Sequence, residues 1–254
     1  MSQITGRLDI RILAVTIAIA MLAAWKVGLW MGRRLHRKGH SKPSKFDDAS
    51  MALLGLLLAF TFGTSISKHD QRVIAVVTDS NAISDLYTCA TLIKEPVRSK
   101  LQAVIQKYVQ TRLALADTKV SGLDLEQGLD QSDQMLSEMI GLVRQALNDG
   151  TPIAVSLTNS LNAVESNQAL RLAAHRDRLH PTIVFLLFAS AVITTLLVGR
   201  EQGSADSYEF AGTLCFILLV TLAIYVTLGL NLPQSGFVRV NQEPMERLFA
   251  SMPK

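Results

Sequence analysis

The uncharged stretch ASMALLGLLLAFTFGTSIS occupies positions 49–67 and decides the class of fold. About 20 consecutive apolar residues form a helix that spans the hydrocarbon core of a bilayer. Three further stretches, 12–31, 181–199 and 210–230, have this length, and Lys26 is the one charge they contain. Charged residues make up 18% of the 254 positions and the mean hydropathy is +0.28, whereas soluble domains carry about 25% charge. The chain is therefore predicted to cross a membrane four times.

The stretch 12–31 has a second interpretation, as a secretory signal peptide. Arg7 and Arg11 would be its basic start, and Ala18-Ile19-Ala20 resembles a cleavage site. Apolar sequence continues well past that site, however, and includes Trp25 and Trp30, which are typical of the interfacial belt of a true span. We therefore expect this helix to be retained.

Residues 68–180 form a polar block between the second and third spans. The block holds 12 Lys/Arg and 13 Asp/Glu, the balance of a water-exposed domain. Apolar and small residues recur within it at alternating three- and four-residue spacing, the pattern of coiled-coil-like helices. The segments with this pattern are 73–90, 97–115, 136–147 and 153–172. The block is therefore predicted to be a bundle of helices.

Glycine and proline mark the predicted helix ends. None lies between Gly63 and Pro96, so the first helix of the block should continue from the second span without a break. Asn148-Asp149-Gly150 is a good helix stop. Thr151 and Pro152 are then expected as an N-cap and first helical residue, and 121–128 as a loop.

These features predict an all-α polytopic membrane protein with four transmembrane helices and a coiled-coil-like helical domain inserted between the second and third. The expected parts are residues 1–48 with the first span (12–31) and a basic loop, 49–67 as the second span, 68–180 as the extramembrane domain, 181–230 with the third and fourth spans (181–199 and 210–230), and 231–254 as a C-terminal tail.

The charge pattern bears on orientation. The loop 32–48 carries six Lys/Arg against two Asp and has a net charge of +4, which favours a cytoplasmic position and contact with anionic lipids over nucleic-acid binding. The helical domain would then be extracytoplasmic. The Lys and Arg residues near the opposite ends of the spans are as many as those of this loop together with Arg200. The number of cations on each side therefore leaves both orientations open. Four spans place both termini on one side of a plasma membrane, the inner membrane in bacteria.

The second span carries the candidate functional side chains. Gly55, Ala59 and Gly63 are spaced by four and predict a close helix–helix contact. A polar face of hydroxyls followed by cations could line an anion path, although hydroxyls in helices more often bond their own backbone. The pore-lining candidates are Phe60, Thr61, Thr64, Ser65, Lys68 and Arg72. A basic cluster before the third span predicts either an interfacial girdle or an anion vestibule, with Arg171, Arg176 and Arg178 as its candidates.

Catalytic chemistry has no support in the sequence. No nucleophile–base arrangement, metal-ligand spacing or phosphate-binding loop is present, so no enzyme activity, metal or cofactor is expected. Cys89 and Cys215 lie in different regions and predict free thiols rather than a disulfide.

A set of dispersed features resembles the bacterial bestrophin-like family of integral membrane proteins. The features are Leu53-Leu54-Gly55-Leu56-Leu57-Leu58-Ala59-Phe60-Thr61-Phe62, Asp70, Arg72, Asn81-Ala82-Ile83, Pro96, Arg98, Tyr108-Val109, Arg171, Arg176, Leu232-Pro233 and Gly236-Phe237-Val238-Arg239-Val240. The resemblance covers about residues 50–250. The tail departs from the family pattern, because Asn231 and Gln234 stand on either side of Leu232-Pro233 where the family tends to have an acidic residue and an aromatic one flanking the proline.

The resemblance implies a distant relation to bestrophins, which are pentameric anion channels with four spans and a cytosolic helical domain. It implies that the second span lines the path, a correspondence of architecture rather than of motif. Two functions therefore remain open. One is an oligomeric channel or transporter for small inorganic anions. The alternative is a non-conducting scaffold or sensor whose helical domain binds other proteins.

Overall fold

The computed structural model describes residues 10–37, 45–116, 122–205, 209–231 and 240–252, and these ranges contain helices and no strand. The helices are α1 (Ile10–Arg37), α2 (Lys45–Thr91), α3 (Val97–Ala116), α4 (Gly122–Asn148), α5 (Ala154–Arg176), α6 (Pro181–Ala205), α7 (Phe210–Asn231) and α8 (Glu243–Ser251). The all-α class is confirmed.

Four of these helices, α1, α2, α6 and α7, are long and apolar enough to cross a membrane, as predicted. The second of them, α2, has 47 residues and continues without interruption into the polar block, which confirms the expected unbroken helix. At 1.5 Å per residue it is roughly 70 Å long, more than twice the thickness of a hydrocarbon core. One helix is thus long enough to supply both a membrane span and an extramembrane helix.

The chain divides into two compact units. Unit 1 comprises 1–69 with 178–239, and unit 2 comprises 70–177 with 240–254. Unit 1 therefore contains α1, the first part of α2, α6 and α7. Unit 2 contains the rest of α2, then α3, α4, α5 and the short C-terminal helix α8.

Unit 1 is organised around the contact between α1 and α6. A Cβ added at Gly28 would lie 2.1 Å from the Leu196 carbonyl oxygen, and one at Gly32 would lie 2.1 Å from that of Arg200. The backbones therefore touch, and the partners advance together along both helices, which makes α1 and α6 parallel. The surrounding core draws on all four helices and includes Ile17, Met21, Leu54, Leu187, Ala191, Ile217 and Ile224.

Unit 2 is a helical bundle in which α2 and α5 run antiparallel. Cys89 Sγ near the end of α2 lies 3.5 Å from Ser160 Oγ near the start of α5, whereas Asp79 pairs with Arg171 further along. The predicted apolar seams form the core of this bundle. The seam residues buried there include Ile83, Ala90, Val97, Leu101, Tyr108, Val143, Leu157, Leu161 and Val164.

The expected start of α5 is wrong. The helix begins at Ala154, and the preceding Ile153 provides no side-chain cap. Gly150 has φ +72° and terminates α4, while the Thr151 amide donates to the Ala146 carbonyl at 3.3 Å. Thr151 therefore completes the end of α4 rather than capping α5.

The expected loop at 121–128 is also wrong, because α4 begins at Gly122. Gly128 lies inside this helix, where an added Cβ would come within 2.2 Å of Leu115 Cδ2. The glycine therefore accommodates a side chain of α3 rather than a turn.

Candidate functional site

The buried face of α2 carries Thr61, Ser65 and Arg72. The Thr61 hydroxyl donates to the Leu57 carbonyl at 2.8 Å, so it satisfies the backbone of its own helix. The Ser65 hydroxyl is fully buried and has no hydrogen-bond partner among the described residues. Of these two hydroxyls, the Ser65 hydroxyl is therefore the one available for a further hydrogen bond.

The rest of the surface of this part of α2 is largely exposed in the single chain. Phe60 is 67% exposed, and Thr64 is exposed while donating to the Phe60 carbonyl at 2.8 Å. Gly55 and Gly63 have no atom within 4 Å of an added Cβ. The pore-lining candidates are thus divided between the buried face and the exposed surface, and among the described residues the two glycines of the predicted small-residue contact meet no other helix. A contact of this ladder with another chain stays a prediction.

Arg72 acts within unit 2 as a cap for α5. Its Nε donates to the Ala174 carbonyl at 3.0 Å and its Nη2 to the Asp177 carbonyl at 2.8 Å. The last carbonyls of a helix have no intrahelical donor and form the negative end of its dipole. A buried guanidinium at that position stabilises the end of α5, so Arg72 has a structural role in addition to any effect on ions.

Arg171 belongs to a buried ionic cluster on the facing sides of α2, α3 and α5. The Asp79 carboxylate is fully buried, and its Oδ2 accepts hydrogen bonds from Arg112 Nη2 at 2.9 Å and Arg171 Nη1 at 2.8 Å. Arg171 Nη2 also donates to Gln242 Oε1 at 3.0 Å, which connects the segment before α8 to the cluster. Arg171 is therefore engaged in this cluster, whereas Arg176 and Arg178 are exposed, and an anion vestibule formed by them stays a prediction.

Tyr108 extends this ionic cluster with a polar chain. Its hydroxyl donates to Gln168 Oε1 at 2.9 Å, and the Gln168 amide donates to Asp133. The Arg112 guanidinium lies 5.6 Å from the centre of the Tyr108 ring. Burial raises the pKa of Tyr108 to about 12, because the phenolate would lose its hydration.

The two arginines of the cluster respond differently to burial. Burial lowers the pKa of Arg171, and the nearby Arg112 lowers it further. Burial opposes the charge of Arg112 as well, but Tyr108 and Asp79 outweigh it and raise its pKa. Both side chains remain cationic at neutral pH, so two guanidinium groups share one carboxylate.

Two buried atoms of the cluster, Asp79 Oδ1 and Arg112 Nε, have no hydrogen-bond partner in the part of the chain that the structure describes. Burying an ion pair costs several kcal/mol of lost hydration per ion, which is recovered only with good geometry and satisfied hydrogen bonds. The arrangement therefore contributes more to the unique registry of α2, α3 and α5 than to net stability. Within the described parts of the chain, no three potential metal ligands come together.

A polar chain also joins the membrane helices of unit 1. Trp25 Nε1 donates to Gln202 Oε1 at 3.0 Å, and Gln202 Nε2 donates to Thr213 Oγ1 at 2.7 Å. These contacts link α1, α6 and α7. At the other end of α7, Asn231 Oδ1 accepts a 2.7 Å hydrogen bond from the Leu179 amide. Asn231 thus fixes the turn before α6.

A family model for the Bestrophin-like domain matches residues 14–245, about nine-tenths of the chain. The chain belongs to the bestrophin-like family. The match begins within the first span and includes the basic loop, two parts that the resemblance based on sequence features had left out. No curated protein and no solved structure matches the chain.

The sequence analysis of this bestrophin-like chain did not predict the ionic cluster, although the positions of Asp79 and Arg112 indicate it. Asp79 follows Val76 and precedes Ile83 on the seam of α2, and Arg112 follows Tyr108 on that of α3. A charge at a seam position is costly unless it meets an opposite charge across the bundle. Two such positions on neighbouring helices predict an ion pair between Asp79 and Arg112. Arg171 was considered only as part of the basic cluster before the third span.

Proposed function

We propose that the chain is a subunit of an oligomeric channel or transporter for small inorganic anions, in which the exposed face of α2 lines or borders the path. The observation that carries the proposal is the exposure of α2. Of the four apolar helices it is the least buried: 17% of the residues in its apolar stretch are buried within the chain, against 28–44% for the other three. A helix this exposed in one chain is available to meet other copies or an aqueous path.

The chemistry of the exposed face supports an anion rather than a cation. The second, third and fourth spans contain no Asp or Glu, so no carboxylate ring can select cations. The face offers the Thr64 hydroxyl and the aromatic ring of Phe60, which could form a hydrophobic constriction. Lys68 is half-buried at the polar end of this part of α2 and adds positive potential there.

Reconstituted liposomes test the proposal. The parent protein should carry chloride, nitrate or bicarbonate in preference to potassium, and Lys68→Glu should lower that preference most strongly at low ionic strength. Lys94→Glu reverses an exposed charge in unit 2 and is the matched control, which should leave selectivity unchanged. Arg72 is unsuitable for this test, because its substitution would also remove the cap of α5.

The proposal fails if the detergent-solubilised protein is a monomer, or if cation current is robust and insensitive to Lys68→Glu. The scaffold or sensor function is the second candidate, and exposed apolar side chains of unit 2 favour it. Leu92 follows the end of α2 and is 61% exposed, and Val155 at the start of α5 is 75% exposed. A protein silent across all three anion gradients whose binding of a partner is lost in Leu92→Ser with Val155→Ser would support that function.

A further inference from the structure

One face of α1 combines an apolar stripe with a basic end. Exposed apolar residues recur along it at Ile12, Val15, Ile19, Val27 and Trp30. The same face ends one turn later at the exposed Arg34. A surface that is apolar over most of a span and cationic at one end matches the shape and chemistry of an anionic phospholipid.

Trp30 fixes the position of the Arg34 side chain. The Arg34 guanidinium lies 4.1 Å from the centre of the Trp30 ring, which is itself 54% exposed. Tryptophan favours the level of the lipid headgroups. Stacking engages the flat face of a guanidinium and leaves the N–H groups at its edge, which can donate in pairs to phosphate oxygens. The stack therefore holds a phosphate-binding group at headgroup level.

The contact between α1 and α6 brings a second arginine to the same end of unit 1. The backbones of Gly32 and Arg200 touch, so Arg200 lies at the basic end of α1, on the side of that helix opposite the Trp30–Arg34 stack, and adds to the positive charge there. Segments 32–48 and 200–209 together hold seven Lys/Arg and five Asp/Glu, a net charge of +2. Two helices end and two begin there, so their terminal dipoles cancel and the excess remains positive.

We propose that Trp30 and Arg34 bind the phosphate of an anionic phospholipid whose acyl chain lies along the exposed stripe of α1. The stripe argues for a lipid over free phosphate, because a soluble anion would use the Arg34 guanidinium and leave the apolar surface uncovered. The site is independent of any conduction through the protein.

The test uses the full chain in phosphatidylcholine nanodiscs with increasing phosphatidylglycerol. Retention of phosphatidylglycerol is measured by native mass spectrometry, and stability is measured by thermal melting. Loss of one charge near an anionic surface should weaken binding about five-fold, the equivalent of about 1 kcal/mol. Arg34→Gln should show this loss. Arg34→Lys keeps the charge but not the paired donors, so its retention of phosphatidylglycerol should lie between that of the parent and that of Arg34→Gln. Arg176→Gln removes an exposed arginine of unit 2 and should leave retention unchanged.

Equal retention of phosphatidylglycerol by the parent and Arg34→Gln would overturn the proposal. Inorganic phosphate that raises the melting temperature as much as the lipid would show a soluble-anion site instead. A change of oligomer mass in Trp30→Leu without a change in lipid retention would assign the stripe to a second copy of the chain. Melting in pure phosphatidylcholine reports whether each variant folds, and if Arg34→Gln does not, Arg34→Lys decides the outcome.

Discussion

The backbone contact between α1 and α6 should make unit 1 sensitive to a single methyl group. In Gly28→Ala the new Cβ would lie 2.1 Å from the Leu196 carbonyl oxygen and 2.8 Å from the Arg200 amide nitrogen. Both neighbours are backbone atoms, so no side chain can rotate away, and the helices must separate by about 1 Å to reach ordinary contact distances. Overpacking of this kind costs about 1–3 kcal/mol. For a chain of this size that corresponds to a fall in melting temperature of roughly 2–12 °C.

The measurement is thermal melting in detergent, followed by the fluorescence of Trp25, which lies at the contact. Trp30→Phe provides a background in which Trp25 is the sole tryptophan. Gly141→Ala is the matched control, because an added Cβ there meets no atom within 4 Å. It should be neutral or stabilising by about 0.5–1 kcal/mol, since alanine favours helix more than glycine. Equal melting of Gly28→Ala and Gly141→Ala would refute the close contact.

Three further predictions follow from the site. Asp79→Asn should destabilise the chain by about 3–5 kcal/mol in chemical denaturation, because it leaves the buried Arg112 and the partly buried Arg171 without a carboxylate, whereas the exposed Asp85→Asn should have little effect. The folded-state pKa of Tyr108 is raised to about 12, so its contribution to stability is complete below pH 10 and should disappear as the pH rises to about 12; phenolate absorbance and melting in parent and Tyr108→Phe measure this. Gly55→Leu with Gly63→Leu should reduce the oligomer mass if the ladder meets another chain, and an unchanged mass would place it against lipid.

The elements of this fold are readable from the sequence because the signals are local. Each span is a run of apolar residues, and each helix of unit 2 shows its own spacing of buried positions. Tyr108 and Leu157 are buried in the core where the seams placed them. Such signals depend on residues within a few turns of each other, so no knowledge of the partner helix is needed.

The partners of the helices could not be read in the same way. Gly28 with Gly32, and Gly199 with Gly203, are both small-residue pairs spaced by four, like the ladder on α2. This spacing predicts that each of these helices packs closely against another helix. Which helix that is depends on how well the two complete surfaces fit. Within one chain, α1 and α6 meet through these glycines, whereas a Cβ added at Gly55 or Gly63 on α2 meets no atom of the described residues within 4 Å.

The roles of the cations near the membrane could not be predicted for the same reason, because they depend on which helix each side chain contacts. Lys68 and Arg72 share a face of α2, which made them equivalent candidates for an ion path. The carbonyls that Arg72 caps belong to α5, about a hundred positions later in the chain. No pattern around Arg72 could reveal that contact, whereas the seam positions of Asp79 and Arg112 were a usable signal for the ionic cluster.

Arg72 and Arg171 make structural contacts, so the proposed attraction of anions at the polar end of the second span depends on Lys68, and one lysine is a weak selector. At 10 Å in water a unit charge contributes about 0.4 kcal/mol, which raises the local anion concentration only about two-fold. Five equivalent lysines around one axis, the arrangement that the bestrophin resemblance implies, would sum to about 2 kcal/mol and about thirty-fold. Strong anion preference therefore requires an oligomer, and disrupting assembly should abolish it together with conduction. A monomer that kept thirty-fold selectivity would contradict the assignment of Lys68 and of α2.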